Sequence, residues 1–121
     1  MSVQVSRKGQ EILVVISQTS VATATEVEIP LGITRGRLLR IIASKTAGSA
    51  SNIDPILGIA ADPASTAVNV VYEQGTAAVT IDQQIAGGAT FSCTGSLFYR
   101  PKPDSGSDNS VSTTLHILVG W

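Results

Sequence analysis

The feature that most restricts this chain is a period of two in hydropathy, running almost from end to end and punctuated by turn residues about every ten positions. "SVQVSR" sets Val3 and Val5 on one side and Gln4 and Ser6 on the other. "TEVEIPL" sets Val27, Ile29 and Leu31 against Glu26, Glu28 and Pro30, and Pro30, lacking an N–H, ends that strand or confines it to a sheet edge. "RLLRIIAS" after Gly36, "ILGIAAD", "AVNVVYE", "AAVTID", "TFSCTGSLFYR" and "VSTTLHILV" supply the further strands. No long window carries a 3.6-residue period, so the helical crossovers that a parallel sheet needs have no place in the chain. The expected fold is all-β: an antiparallel β-sandwich of jelly-roll type with about 8–9 strands. With 121 residues, no internal repeat and no linker, residues 1–121 are expected to form one domain.

Local signals sharpen this outline. Lys8-Gly9 is a turn. The β-branched run "EILVVIS", residues 11–17, predicts a central strand covered on both faces, with "ILVVI" in the core. "KTAGSASNIDP" reads as a loop, and Asp62-Pro63 ends the strand before it. Gln74-Gly75 predicts a hairpin, Gly87-Gly88 a break in the chain, and Gly95 a bulge within a single strand.

Charge and chemistry exclude more than they assign. The net charge is −1 and charged residues make up only 14%, so Lys and Arg are not massed as a nucleic-acid surface requires. The densest basic stretch, "ITRGRLLRIIASK", carries Arg35, Arg37, Arg40 and Lys45; it reads as an anionic contact patch or as the solvent-facing fringe of a strand. Cys93 is the single cysteine, so no internal disulfide can form, and His116 is the single histidine; neither stands in a nucleophile signature. Phosphate-loop, nucleophile-elbow and zinc-protease motifs are absent, and Glu26 and Glu28 read as a solvated strand face. The loop "PKPDSGSDNS" offers Asp104, Ser105, Asp108 and Asn109, but Gly106 stands where a calcium loop needs an oxygen ligand and Leu115 where it needs a Glu. Its Pro, Asp, Gly and Asn are turn chemistry, and the expected role is the connection between two paired strands. No catalytic residue, metal ligand or cofactor is expected. The five-residue apolar run after Arg7 and Lys8 is too short for a secretory signal, and nothing approaches a membrane span, so a protein made and kept in the cytoplasm is expected unless a particle carries it elsewhere.

The ending "LFYRPKPDSGSDNSVSTTLHILVGW", with the Ser/Thr/Ala-rich all-β chain before it, resembles the capsid decoration, or cement, proteins of tailed bacteriophages. The resemblance implies a non-catalytic virion protein on the capsid exterior, locking neighbouring capsomers of the major capsid protein, and a homo-oligomer, most often a trimer. Low charge is compatible with self-association. A carbohydrate- or receptor-binding module of a phage fibre or tail is the alternative, and an exposed aromatic groove would favour it. Candidate subunit or capsid contacts are Val3, Val5 and Arg7 on the first strand, Arg35 and Arg37 in the basic stretch, and Trp121, an aromatic anchor at the end of the chain.

Overall fold

The computed structural model describes residues 1–63 and 69–120. Among the described residues there are nine strands: β1 (Ser2–Lys8), β2 (Glu11–Val21), β3 (Val27–Pro30), β4 (Arg35–Ala47), β5 (Ile56–Gly58), β6 (Val70–Glu73), β7 (Thr80–Ser92), β8 (Ser96–Arg100) and β9 (Asn109–Val119). They form a five-stranded sheet, β1-β2-β9-β4-β7, packed on a four-stranded sheet, β3-β8-β5-β6. The pairings β2 with β9, β3 with β8, β4 with β7 and β5 with β6 are all antiparallel. This is a long hairpin folded onto itself and wrapped into two sheets, the jelly-roll winding, with β1 added outside β2.

The alternation in sequence becomes the two faces of each strand. Val14, Ile16, Leu38, Ile41, Leu115 and Ile117 of the larger sheet meet Val27, Ile29, Leu57, Leu97 and Tyr99 of the smaller one in the main core. A second cluster, Val21, Ala43, Ile53, Ile81 and Val111, fills one end. The buried Tyr99 hydroxyl lies 2.8 Å from the Thr113 hydroxyl, so each partners the other inside the core. Burial pushes the Tyr99 phenol above the usual tyrosine range. As expected, β3 is an edge strand ending at Pro30, and Gly9 turns β1 into β2 with φ +62°.

Several local expectations are corrected. The run at residues 11–17 is not covered on both faces: β2 has hydrogen-bonded neighbours on both sides, but Leu13 and Val15 remain 39% exposed. Gln74-Gly75 is not a hairpin turn. β6 belongs to the smaller sheet and β7 to the larger, and Gly75 N–H donates instead to Asp54 Oδ1 at 2.9 Å. Gly87-Gly88 does not break the chain: β7 runs through it, and residues 85–88 bulge opposite Leu39 with both glycines at positive φ. "TFSCTGSLFYR" is a corner rather than one strand. β7 ends at Ser92, and Gly95 C=O accepts from the N–H groups of Leu31 and Gly32 before β8 begins in the other sheet. β4 extends to Ala47, into the expected loop, whereas "ILGIAAD" is strand only over Ile56–Gly58. The strand expected over "AVNVVYE" is β6, Val70–Glu73; Ala67 and Val68 lie outside the described residues.

A candidate interaction surface

Register converts the larger sheet's outer face into four ordered rows. Ser2, Ser17, Ser112, Ser44 and Thr80 stand side by side across all five strands, a complete row of hydroxyls. The next row is Gln4, Val15, Thr114, Ile42 and Asp82. Ser6, Leu13, His116, Arg40 and Gln84 follow, and then Lys8, Glu11, Leu118, Arg37 and Thr90. Each of these side chains is exposed or half-buried, while the alternate positions of β2, β9 and β4 point into the core. The face therefore grades from hydroxyls, through an apolar centre of Val15, Ile42 and Leu13, to an ionic end.

Beside the apolar centre, on the β4–β7 side, Arg40 holds Asp82 through two parallel hydrogen bonds of 2.8 and 2.7 Å. That hydrogen bonding keeps the Asp82 carboxyl below its ordinary range, and the same pairing raises the Arg40 guanidinium. Arg37 lies along the bulge of β7, its Nη1 donating to Gly87 C=O at 3.4 Å. The positive φ of Gly88 and its approach to Arg37 explain the glycine: an added Cβ would sit 3.0 Å from the Arg37 Cβ. A cleft of about 400 Å³ opens where Lys8, Glu11, Leu13, Leu39 and His116 converge.

The predicted contacts are not gathered into one patch. Arg35 and Arg37 lie at the start of β4, with Arg37 on the outer face. Val3, Val5 and Arg7 share registers with Ile16, Val14 and Ile12 and so lie on the opposite, inner side of β1, at the far edge of the sheet. Trp121 lies outside the described residues. Leu13, Val15, Ile42 and the hydroxyl row were not singled out from sequence, because their alignment depends on which strands are neighbours. Cys93 and His116 are not brought together. Cys93 packs against the core and donates to Ile33 C=O at 3.3 Å, whereas His116 sits on the outer face between Leu13 and Arg40.

The loop at residues 101–108 does not join paired strands, since β8 and β9 lie in different sheets. Its polar groups grip a second loop. Asp104 accepts from the N–H groups of Ser51 and Asn52 at 2.8 and 3.2 Å, and Asp108 Oδ1 from Ser49 N–H and Oγ at 3.1 and 2.7 Å. The fully buried Asn109 accepts from Ala50 N–H and donates to the carbonyls of Val21 and Ser105, each at 2.9 Å. The Ser49 hydrogen bonds hold the Asp108 carboxyl below its ordinary range. Glu26 and Glu28 are likewise engaged rather than simply solvated: Glu26 accepts from Arg100 Nε at 3.1 Å and Glu28 from Ser96 Oγ at 2.8 Å.

A second groove runs between the sheet edges β6 and β7, where Tyr72, Gln74, Gln83 and Gln84 meet and Tyr72 donates to Gln74 Oε1. Burial and nearby Asp54 raise the Tyr72 phenol.

No protein-family model and no curated protein sequence matches the chain. Among solved structures it is similar to a chain of the "Cyanophage Pam1 capsid asymmetric unit", with 17% identity, a TM-score of 0.39, and coverage of 97% of this chain and 84% of that one.

Proposed function

We propose that the protein is a non-catalytic structural subunit of a tailed-phage virion, which lies on the capsid exterior and cements the shell formed by the major capsid protein. The observation that carries this reading is the outer face of the five-stranded sheet, an ordered surface on which Val15, Leu13 and Ile42 lie exposed or half-buried between a row of hydroxyls and a charged row. The decoration-protein resemblance of the chain supports the same role. A jelly roll hosts many functions, so the winding alone assigns none.

Size sets the expected strength. Five strands about 4.8 Å apart and four rows about 7 Å apart span roughly 20 by 20 Å between outermost Cα positions. That falls short of the ~800 Å² per partner of a standard stable interface. A single copy would bind weakly, and repetition over a lattice would make the sum strong. Hydroxyls and the apolar side chains of Leu13, Val15 and Ile42 suit packing against another subunit, with the polar ends of the face acting as a rim.

The test is co-sedimentation of the purified chain with assembled capsids of its phage. Saturable binding at a fixed ratio to the major capsid protein, lost on Val15→Asp, is the expected result; no binding at tens of micromolar overturns it. The groove between β6 and β7 supports a second reading, a glycan site in which the Tyr72 ring would stack on a sugar beside the Gln74, Gln83 and Gln84 amides. Binding to a glycan panel that Tyr72→Ala removes would favour it over cementing.

A further inference from the structure

We infer that β1 is a self-pairing edge: two copies of this chain join antiparallel, β1 to β1, about a two-fold axis through Val5, so that their five-stranded sheets become one continuous sheet. This deepens the reading above by giving the virion subunit a defined contact with its own second copy.

The two sheets have four edges, β1, β7, β3 and β6, and three are blunted. β3 has four residues and ends in Pro30. β6 has four residues and a register shift against β5. β7 is interrupted by the bulge at residues 85–88. β1 differs from all of them. Its seven residues run in unbroken register against β2, without proline, glycine or bulge. Among the described residues no strand neighbours the backbone groups of β1 that face away from β2, and such a row of donors and acceptors is a template for another strand.

The side chains select a second copy and one register. About Val5, the axis sets Val5 against Val5 of the second copy, Gln4 against Ser6, Val3 against Arg7 and Ser2 against Lys8. No like charges stand opposite one another. The two Arg7 residues are four residue rises apart, about 13 Å, beyond the ~8 Å screening length at physiological salt. Lys8 already faces Glu11 on β2. Moving the axis to Arg7 would set two guanidinium groups directly against each other, so the charges that could blunt this edge instead exclude that register. Val5 is 36% exposed on the inner side of β1, and pairing would cover each Val5 with the other.

Light scattering at tens of micromolar should give about twice the 12.5 kDa chain mass. Val5→Lys places two ammonium groups on the axis and should give single chains, as should Val5→Glu with two carboxylates. An equimolar mixture of the two variants should recover the double mass, which a misfolded variant could not do. A wild type that remains a single chain, a mass of three chains, or a Val5→Lys variant that keeps the double mass each overturns the proposal. No capsid enters this measurement, so its failure and a failure of capsid binding are separate results.

Discussion

Val14 and Val15 are neighbours with the same side chain, yet Val14 is fully buried against the second sheet and Val15 is 39% exposed. The same contrast extends across the larger sheet. Ile12, Ile16, Leu115, Ile117, Leu38 and Ile41 form one face, and Leu13, His116, Leu118, Arg40 and Ile42 the other. Burial on the inner face stabilises the fold, at about 1.5–3 kcal/mol for each large aliphatic side chain. On the outer face the same chemistry contributes little to the isolated chain and is available to a partner. An uninterrupted apolar stretch therefore does not prove a doubly buried strand.

The largest expected effect breaks the inner face. Val14→Asp places an unpaired carboxylate in the core and should cost on the order of 3 kcal/mol or more in urea or thermal unfolding. An unchanged melting temperature would mean that the two faces do not differ as described. Next comes Asn109→Ala, which strips partners from Ala50 N–H and from the Val21 and Ser105 carbonyls at the buried end of β9. Its cost should be roughly 2–3 kcal/mol, from leaving buried groups unpaired. EDTA should leave wild-type melting unchanged, because the loop at residues 101–108 acts as a clip; a large drop restored by calcium would contradict that role. Tyr99→Phe should cost about 1–2 kcal/mol by orphaning the Thr113 hydroxyl, and Thr113→Val in the same chain should recover part of the loss. Val15→Asp, the outer-face counterpart, should stay within about 0.5 kcal/mol of wild type.

The smallest effect concerns acid. Asp82 and Asp108 are held below their ordinary pKa by Arg40 and Ser49. A carboxylate with a lowered folded pKa stabilises the fold above its unfolded value, about 3.9, and loses that contribution as pH falls through the lower folded value. Urea midpoints measured between about pH 5 and pH 2 should therefore decline less steeply for Asp108→Asn than for wild type.

Strand number, the alternation of Val3 and Val5, the Lys8-Gly9 turn and the edge position of Pro30 were legible in the sequence because each is a local property. Pairing was not. Gln74-Gly75 and Gly95 carry turn chemistry, but a jelly roll pairs strands distant in sequence, and the same residues that would close a hairpin also carry the chain from one sheet to the other. Gly87-Gly88 marks a bulge, and nothing local distinguishes a glycine pair that bends a strand from one that ends it. The polar loop showed its turn residues but not its grip on residues 48–54, which lie some fifty positions away. The outer-face rows were hidden for the same reason: Ser2, Ser17, Ser112, Ser44 and Thr80 form a line only when five strand registers are known together.

The central claim, that the outer face is the docking face, is tested most directly by labelling a thiol placed within it. In a Cys93→Ser background, Val15→Cys should react readily with a maleimide in the free protein and be protected when capsids are bound. A thiol introduced at exposed Glu73 on the smaller sheet should react equally in both states. Equal labelling of position 15 with and without bound capsids would contradict the account.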